Sequence, residues 1–303
     1  VPLEAMSNEE FYARLVDIEP KLLLGDVGDS DLADMSDTKE GNLRGTDDKT
    51  LVFEASDGFP RIETDILEAT LAKNQANSGA GRTVCGADDR VRVSPTTSYP
   101  WRAVVSLRVT YSDGAAFICS GFFIGPRAVG TAGHCVYSRD NGGFASSIQV
   151  IPGRNGDSSP FGAQFAVTIF AQNGYIQNGN PDFDYGAVIL PDRSLSNQVG
   201  YFGYANYPNS QLSSATLNTA GYPGDKGGST QWYTSGRVST LTNTRLNYLM
   251  DTLGGQSGSP VWILVNGQRH VVTVHTSGGC PNSGVRVNQD VFNFFNNMRN
   301  NYT

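Results

Sequence analysis

Leu253-Gly254-Gly255-Gln256-Ser257-Gly258-Ser259-Pro260 sets a serine between glycines in a polar turn, with a strand-like run on each side. A serine hydroxyl is a weak nucleophile. It needs a base to take its proton, a carboxylate to orient that base, and donors for the oxyanion. Gly255 lets the backbone bend until its own N–H and that of Ser257 converge on one small cavity, as an oxyanion hole requires. Alone, the string reads equally as a glycine-rich hairpin turn, so its partners decide.

A base stands upstream in Val129-Gly130-Thr131-Ala132-Gly133-His134-Cys135, where His134 follows a small-residue strand end. Between base and nucleophile lies Phe183-Asp184-Tyr185-Gly186-Ala187-Val188-Ile189-Leu190. Asp184 opens an apolar strand, so its side chain can be buried at the strand's edge and fix an imidazole tautomer. The chain order is His, Asp, Ser, and from about residue 84 to the C-terminus the sequence resembles the chymotrypsin-like serine proteases. Asp182 is the competing carboxylate; Asp184 is preferred because it directly precedes the strand, where that family's triad aspartate lies. The resemblance implies His134, Asp184 and Ser257 as the catalytic triad, with the N–H groups of Gly255 and Ser257 as the oxyanion hole. This chemistry needs no cofactor, and no loop shows the carboxylate spacing of a calcium site. A non-catalytic binding protein on a protease fold remains a rival reading, but it would be expected to carry a damaged triad.

The chain's 303 residues suffice for one large or two modest domains, and no apolar run approaches membrane-spanning length. Charge is uneven. Residues 1–82 hold 18 acidic and 8 basic side chains, whereas residues 83–303 hold 11 and 14. All eight glutamates (Glu4, Glu9, Glu10, Glu19, Glu40, Glu54, Glu63, Glu68) fall before that boundary, while about a dozen would be expected after it from ordinary usage. A protease that cuts after glutamate would lose the residue from its own mature body, and a discarded segment could keep it. Lysine is also scarce after the boundary, Lys226 alone, so a compositional bias competes with this reading; thirteen arginines nevertheless remain there. We therefore expect a pro-segment over 1–82, acting as an intramolecular inhibitor, and a protease domain over 83–303. Protein or peptide substrates are the expected partners of a monomer, with no nucleic acid and no membrane.

Ser7-Asn8-Glu9-Glu10 is a capping-box pattern, followed by Phe11, Leu15 and Ile18 at helical spacing up to Pro20. Residues 25–60 read as loop or weak strand, and a second helix is expected through Ile62, Ile66, Leu67 and Leu71. Asn74 to Gly81 is a small-residue stretch that ends at Arg82, suited to proteolytic cleavage. Beyond it the period becomes two: Val105, Leu107, Val109 and Tyr111 alternate with Ser106, Arg108 and Thr110. Short strands are expected at 117–124, 128–132, 148–151, 165–170, 187–190, 215–220, 231–233, 246–250 and 261–265. The last of these meets 268–275 across the hairpin signal Asn266-Gly267. Val287, Val291, Phe294, Phe295 and Met298 make a terminal amphipathic helix. The fold expected is all-β: two packed antiparallel six-stranded β-barrels and a C-terminal helix, preceded by an acidic, partly helical pro-segment.

Four cysteines without C-x-x-C spacing argue for two disulfides in an oxidising compartment and against zinc, hence a secreted protein. Val1-Pro2-Leu3-Glu4 shows no secretory leader, which is taken as removed or outside this sequence. The turn Gly125-Pro126-Arg127 brings Cys119 back beside Cys135; a bridge there would close about 16 residues, worth roughly 3 kcal/mol. The chymotrypsin-like family has a similarly placed disulfide. Cys85 and Cys280 must pair if Cys119 and Cys135 do.

Val274-His275-Thr276-Ser277-Gly278-Gly279-Cys280, Gly221-Tyr222-Pro223-Gly224-Asp225-Lys226, Gln231-Trp232 and Asp251-Thr252 together resemble the glutamyl endopeptidases. In that family a histidine and a hydroxyl grip the substrate's glutamate carboxylate, and these roles fall to His275 and Thr252. His270 is expected to be only a hairpin-flank residue. Asp251 occupies, counted back from Ser257, the place where trypsin-like enzymes keep the aspartate that binds Arg or Lys. A buried anion there would repel glutamate, so a trypsin-like Arg/Lys preference is the competing reading. Gln256 replaces the aspartate that receives the new N-terminal amine in the digestive enzymes, so that activation switch cannot operate. If cleavage falls near Arg82, a Cys85–Cys280 bridge would instead place the α-amine of Thr83 or Val84 at the pocket rim.

Overall fold

The computed structural model describes residues 51–53 and 84–303; the helices expected from Ser7 and through Ile62 to Leu71, and the Asn74 to Gly81 stretch, lie outside them. Two short strands come first, β1 (Leu51–Phe53), within the stretch read as loop or weak strand, and β2 (Val91–Arg92). The first barrel follows: β3 (Val104–Thr110), β4 (Ala116–Phe123) and β5 (Ala128–Thr131), then a side hairpin of β6 (Tyr137–Ser138) and β7 (Gly143–Phe144). It is completed by β8 (Ser147–Pro152), β9 (Gln164–Phe165), β10 (Thr168–Ala171) and β11 (Gly186–Ile189).

These strands pair in the order β10-β11-β5-β4-β3-β8-β9. The two ends of that path are halves of one bent segment. At the bend, Ala166 N–H donates to Ile148 O and Val167 N–H to Ile189 O, so one bent strand joins β8 to β11. This bend divides the single strand expected over 165–170. Val105, Leu107 and Val109 of β3 point into the barrel core, as their alternation predicts, and each such side chain contributes about 1.5–3 kcal/mol by leaving water. Ser106, expected to face solvent, is buried as well, because the outer face of β3 turns toward the second barrel: its neighbour Val104 packs in one cluster with Ala220 and Trp262.

The second barrel holds β12 (Gly203–Asn206), β13 (Thr216–Gly221), β14 (Trp232–Leu241), β15 (Arg245–Tyr248), β16 (Pro260–Val265), β17 (Gln268–Ser277) and β18 (Asn282–Arg286). Six of these close a ring, β17-β16-β13-β14-β15-β18, through the additional β17–β18 ladder. β12 lies outside the ring, parallel to β17, and β1 pairs antiparallel with β12. Three short helices sit in the connections: α1 (Asn173–Asn178), α2 (Ser196–Val199) and α3 (Asn209–Leu212).

The terminal helix α4 (Gln289–Asn301) starts at Asn288, whose side chain accepts the N–H groups of Asp290 and Val291. Val287 precedes the helix instead of belonging to it. Phe295 of α4 stacks edge-on against Phe122 of β4 and Tyr204 of β12, fastening the two barrels together. Among the described residues no helix is long and apolar enough to cross a membrane.

Candidate active site

The first barrel supplies the imidazole and the carboxylate. Pairing of β5 with β11 sets Thr131 opposite Gly186, so the residues just past β5 and just before β11 leave the sheet side by side. His134 sits in a 3-10 turn after β5, and Asp184 directly follows the 3-10 turn Pro181–Phe183. Both oxygens of the buried Asp184 are used: Oδ1 accepts the His134 backbone N–H at 2.8 Å, and Oδ2 lies 2.8 Å from His134 Nδ1. Asp182 instead lies in the preceding turn, where its N–H donates to Asn180 Oδ1. Burial, the largest influence on the His134 ring, lowers its pKa, but the charge and hydrogen bond of Asp184 outweigh it and hold the pKa above the ordinary value. An anion at Nδ1 fixes the proton on that nitrogen and leaves Nε2 as the basic one.

Ser257 arrives from the second barrel, on the turn before β16. Gly255 has φ of 99°, and a Cβ there would come within 2.5 Å of Tyr222 O, so only glycine fits. Ser120 of β4 holds the turn from behind, its N–H donating to Ser257 O and its Oγ to Gly255 O, both at 2.8 Å. The carbonyls that share a peptide plane with the Gly255 and Ser257 amides, Gly254 O and Gln256 O, accept the N–H groups of Gly224 and Ser259, so those two amides face the other way. Leu253 N–H donates to Gln256 Oε1 and Gly258 N–H to His275 O, whereas the amides of Gly255 and Ser257 have no acceptor among the described residues. His134, Gly255 and Ser257 line one cleft of about 560 Å³, whose other wall is Tyr111, Phe117 and Ile118 of the first barrel.

His275 is buried on β17, and its N–H donates to Ser259 O, two residues past Ser257. Its Nδ1 lies 2.7 Å from the hydroxyl of Tyr248 on β15. Burial above all, then the charges of His134 and Arg245, push the His275 pKa down to about 3, against a smaller opposing pull from Asp184. The ring is neutral at any working pH, and the tautomer in which the Tyr248 hydroxyl donates to Nδ1 is the one that carries its proton on Nε2. Thr252 is fully buried in the same turn. Asp251 is buried too, with its carboxylate accepting the backbone N–H of Cys85 at 2.7 Å and of Asp89 at 2.9 Å. His270 is buried against the Tyr207 hydroxyl, 2.7 Å from its Nδ1.

Cys119 is joined to Cys135 and Cys85 to Cys280. The first bridge flanks Ser120 and His134; the second fastens residue 85 beside the strand that carries His275. Sequence reasoning missed Ser120 and Tyr248. Tyr248 had one available signal, its position two residues beyond the apolar Leu246, which puts both on the inward face of β15.

The model of the family described as Trypsin matches residues 90–298. A glutamyl endopeptidase of Bacillus licheniformis is 38% identical over 278 residues, covering 88% of this chain and 85% of the relative. A Bacillus subtilis protein named extracellular metalloprotease is 39% identical over 215 residues, 70% of this chain and 68% of that one. Among solved structures, a Glu endopeptidase in complex with MPD matches with a TM-score of 0.63 and 29% identity, over 72% of this chain and 99% of its own. The chain belongs to the trypsin family, in the group of the glutamyl endopeptidases, and is a serine endopeptidase.

Proposed function

We propose that the enzyme is secreted, cleaves after glutamate, and is made as a zymogen whose residues 1–82 are removed as a pro-segment. His134 Nε2 takes the Ser257 proton as Oγ bonds to the scissile carbonyl carbon, and the oxyanion is held by the N–H groups of Gly255 and Ser257. The carbon–nitrogen bond then breaks as the proton passes from His134 to the leaving amine. Water, deprotonated by the same base, releases the acyl group and restores Ser257.

The observation that carries the glutamate preference is the Tyr248–His275 pair: a neutral imidazole whose Nδ1 is capped presents Nε2–H as the donor for a substrate carboxylate. Thr252 is proposed as the second donor. The rival Arg/Lys preference needs the Asp251 carboxylate for the substrate's cation, and that group already receives two backbone amides. The α-amine of Thr83 or Val84, tethered through Cys85–Cys280, is proposed to add positive charge at the rim. Carbamylating that amine should weaken cleavage after glutamate; unchanged cleavage would refute this role.

A metal-dependent reading is raised by the name of the Bacillus subtilis relative. Among the described residues the one group close enough to share an ion is Cys119, His134 and Cys135. Its two sulfurs are bonded to each other, so neither is the thiolate that a metal needs, and this donor set does not fit.

The test is cleavage of a mixed peptide library, with and without prior removal of residues 1–82, reading the residue before each cut. Cuts after Glu that appear only once the front segment is gone are expected. Cuts after Arg or Lys would make Asp251 the pocket residue instead.

A further inference from the structure

Arg90 is almost wholly buried, its side chain 1% exposed, and it lies directly behind the Ser257 turn. Its guanidinium forks onto two carboxylates. Nε and Nη2 reach Asp88 Oδ1 and Oδ2 at 2.8 and 2.9 Å, while Nη1 and Nη2 reach Asp225 Oδ1 and Oδ2 at 3.0 and 2.6 Å. Nη1 also contacts the side-chain oxygen of Gln256 at 3.4 Å. Lys226 Nζ lies 3.0 Å from Asp88, so two cations balance two anions and the third acceptor on the guanidinium is a neutral amide. A carboxylate at position 256 would leave this cluster with an uncompensated buried charge.

Gln256 connects this cluster to the chemistry. Its Oε1 accepts the N–H of Leu253 at 3.0 Å, and its own N–H returns to Leu253 O at 3.0 Å, closing the turn that presents Gly255 and Ser257. Gln256 Nε2 is buried without a partner among the described residues. Which way the amide faces is therefore set on the oxygen side, by Leu253 and Arg90. The turn that carries Asp225 also meets the same loop directly, Gly224 N–H donating to Gly254 O at 2.6 Å. Arg90 belongs to the segment fastened by the Cys85–Cys280 bridge, by the amides of Cys85 and Asp89 on Asp251, and by β2 on β14.

We propose that Arg90 is a positioning residue for the oxyanion hole: clamped by Asp88 and Asp225, it fixes the Gln256 side chain and thereby the backbone of residues 253–257. An internal guanidinium, delivered by the start of the protease domain, thus stands where a new N-terminal amine cannot act on Gln256. The proposal rests on Gly255 and Ser257 being the oxyanion donors, and its test separates the two.

The protease freed of residues 1–82 is assayed as wild type, Arg90→Met, Arg90→Lys and Asp225→Asn. A peptide substrate gives kcat and KM; a matching peptide aldehyde, which forms a tetrahedral oxyanion on the serine, is compared with the corresponding alcohol, which does not. Loss of an oxyanion-hole donor lowers kcat by about 100- to 1000-fold, so a displaced pair in Arg90→Met is expected to cost kcat about 10- to 100-fold. KM should stay within about twofold, and the aldehyde's advantage over the alcohol should fall by the same factor as kcat. Arg90→Lys keeps the charge but cannot fork onto both carboxylates, so it should fall between Arg90→Met and wild type. If Arg90→Met does not fold, Asp225→Asn carries the test, since the Asp225 side chain is 31% exposed and its loss weakens one fork only. Variants that keep the aldehyde advantage, or lose KM alone, would overturn the role of Arg90. A wild-type enzyme without any aldehyde advantage would overturn the oxyanion-hole assignment itself.

Discussion

A hydrogen bond to one nitrogen of an imidazole decides what the other nitrogen can do, and this enzyme applies the rule twice with opposite results. At His134 the partner is a carboxylate, which raises the ring's basicity; at His275 it is a phenol in a fully buried site, and the ring is kept neutral. In the proposed mechanism His134 must be unprotonated to accept the Ser257 proton, so kcat/KM should rise with pH through one ionisation lying above the ordinary histidine value of 6.5. His275, at about 3, adds no limb in the working range. A second limb between about pH 5 and 8 that disappears in His275→Gln would contradict this. Tyr248→Phe should lower kcat/KM for a glutamate substrate by about tenfold, the worth of one buried hydrogen bond, since the ring is then free to take the other tautomer. The same substitution should cost an alanine substrate much less; an equal loss on both would make Tyr248 a merely structural residue.

At the scale of strands and bridges, what could be read in the sequence followed from contrast between neighbours. β3 stood out because apolar and polar side chains alternate, the His134 and Ser257 stretches because small residues adjoin the polar group, and Asp184 because it opens an apolar strand. β14 was expected over three residues and runs for ten, since its second half is polar and half exposed. β18 went unseen because Asn282-Ser283-Gly284-Val285-Arg286 has no apolar period; Gly284 is there so that the backbone of Val274 can pass close by. Arg90, Ser120 and the role of Tyr248, whose inward position alone was readable, went unseen for another reason. Their partners stand 166, 135 and 27 residues away, beyond any local pattern. The bridges give an element-scale prediction. Cys85–Cys280 spans 195 residues and Cys119–Cys135 spans 16, for which chain entropy assigns roughly 5 and roughly 3 kcal/mol. Urea denaturation of the Cys85→Ser/Cys280→Ser enzyme should therefore show the larger loss, and the reverse order would mean that strain or residual structure in the unfolded chain dominates.

For the molecule as a whole, charge divides the chain unevenly. Residues 1–82 carry a net −10 and residues 83–303 a net +3. If residues 1–82 are the proposed pro-segment, then as a separate peptide they should inhibit the enzyme freed of them, and the inhibition constant should weaken as salt rises from 0.01 M to 0.5 M, where screening shortens from about 30 Å to a few ångströms. Inhibition indifferent to salt would point to apolar contacts instead.

The ring whose β16 follows the Ser257 turn is closed by its last strand, β18, and the bridge that holds residue 85 ends at Cys280. A ribosome makes these parts after the Ser257 turn. While the chain is still emerging, His134 and Asp184 can be in place in a folded first barrel, yet the barrel that carries the proposed nucleophile is still open and Cys85 has no partner. Catalytic competence is therefore expected only after β18 and Cys280 have been made, later than all three residues of the proposed triad.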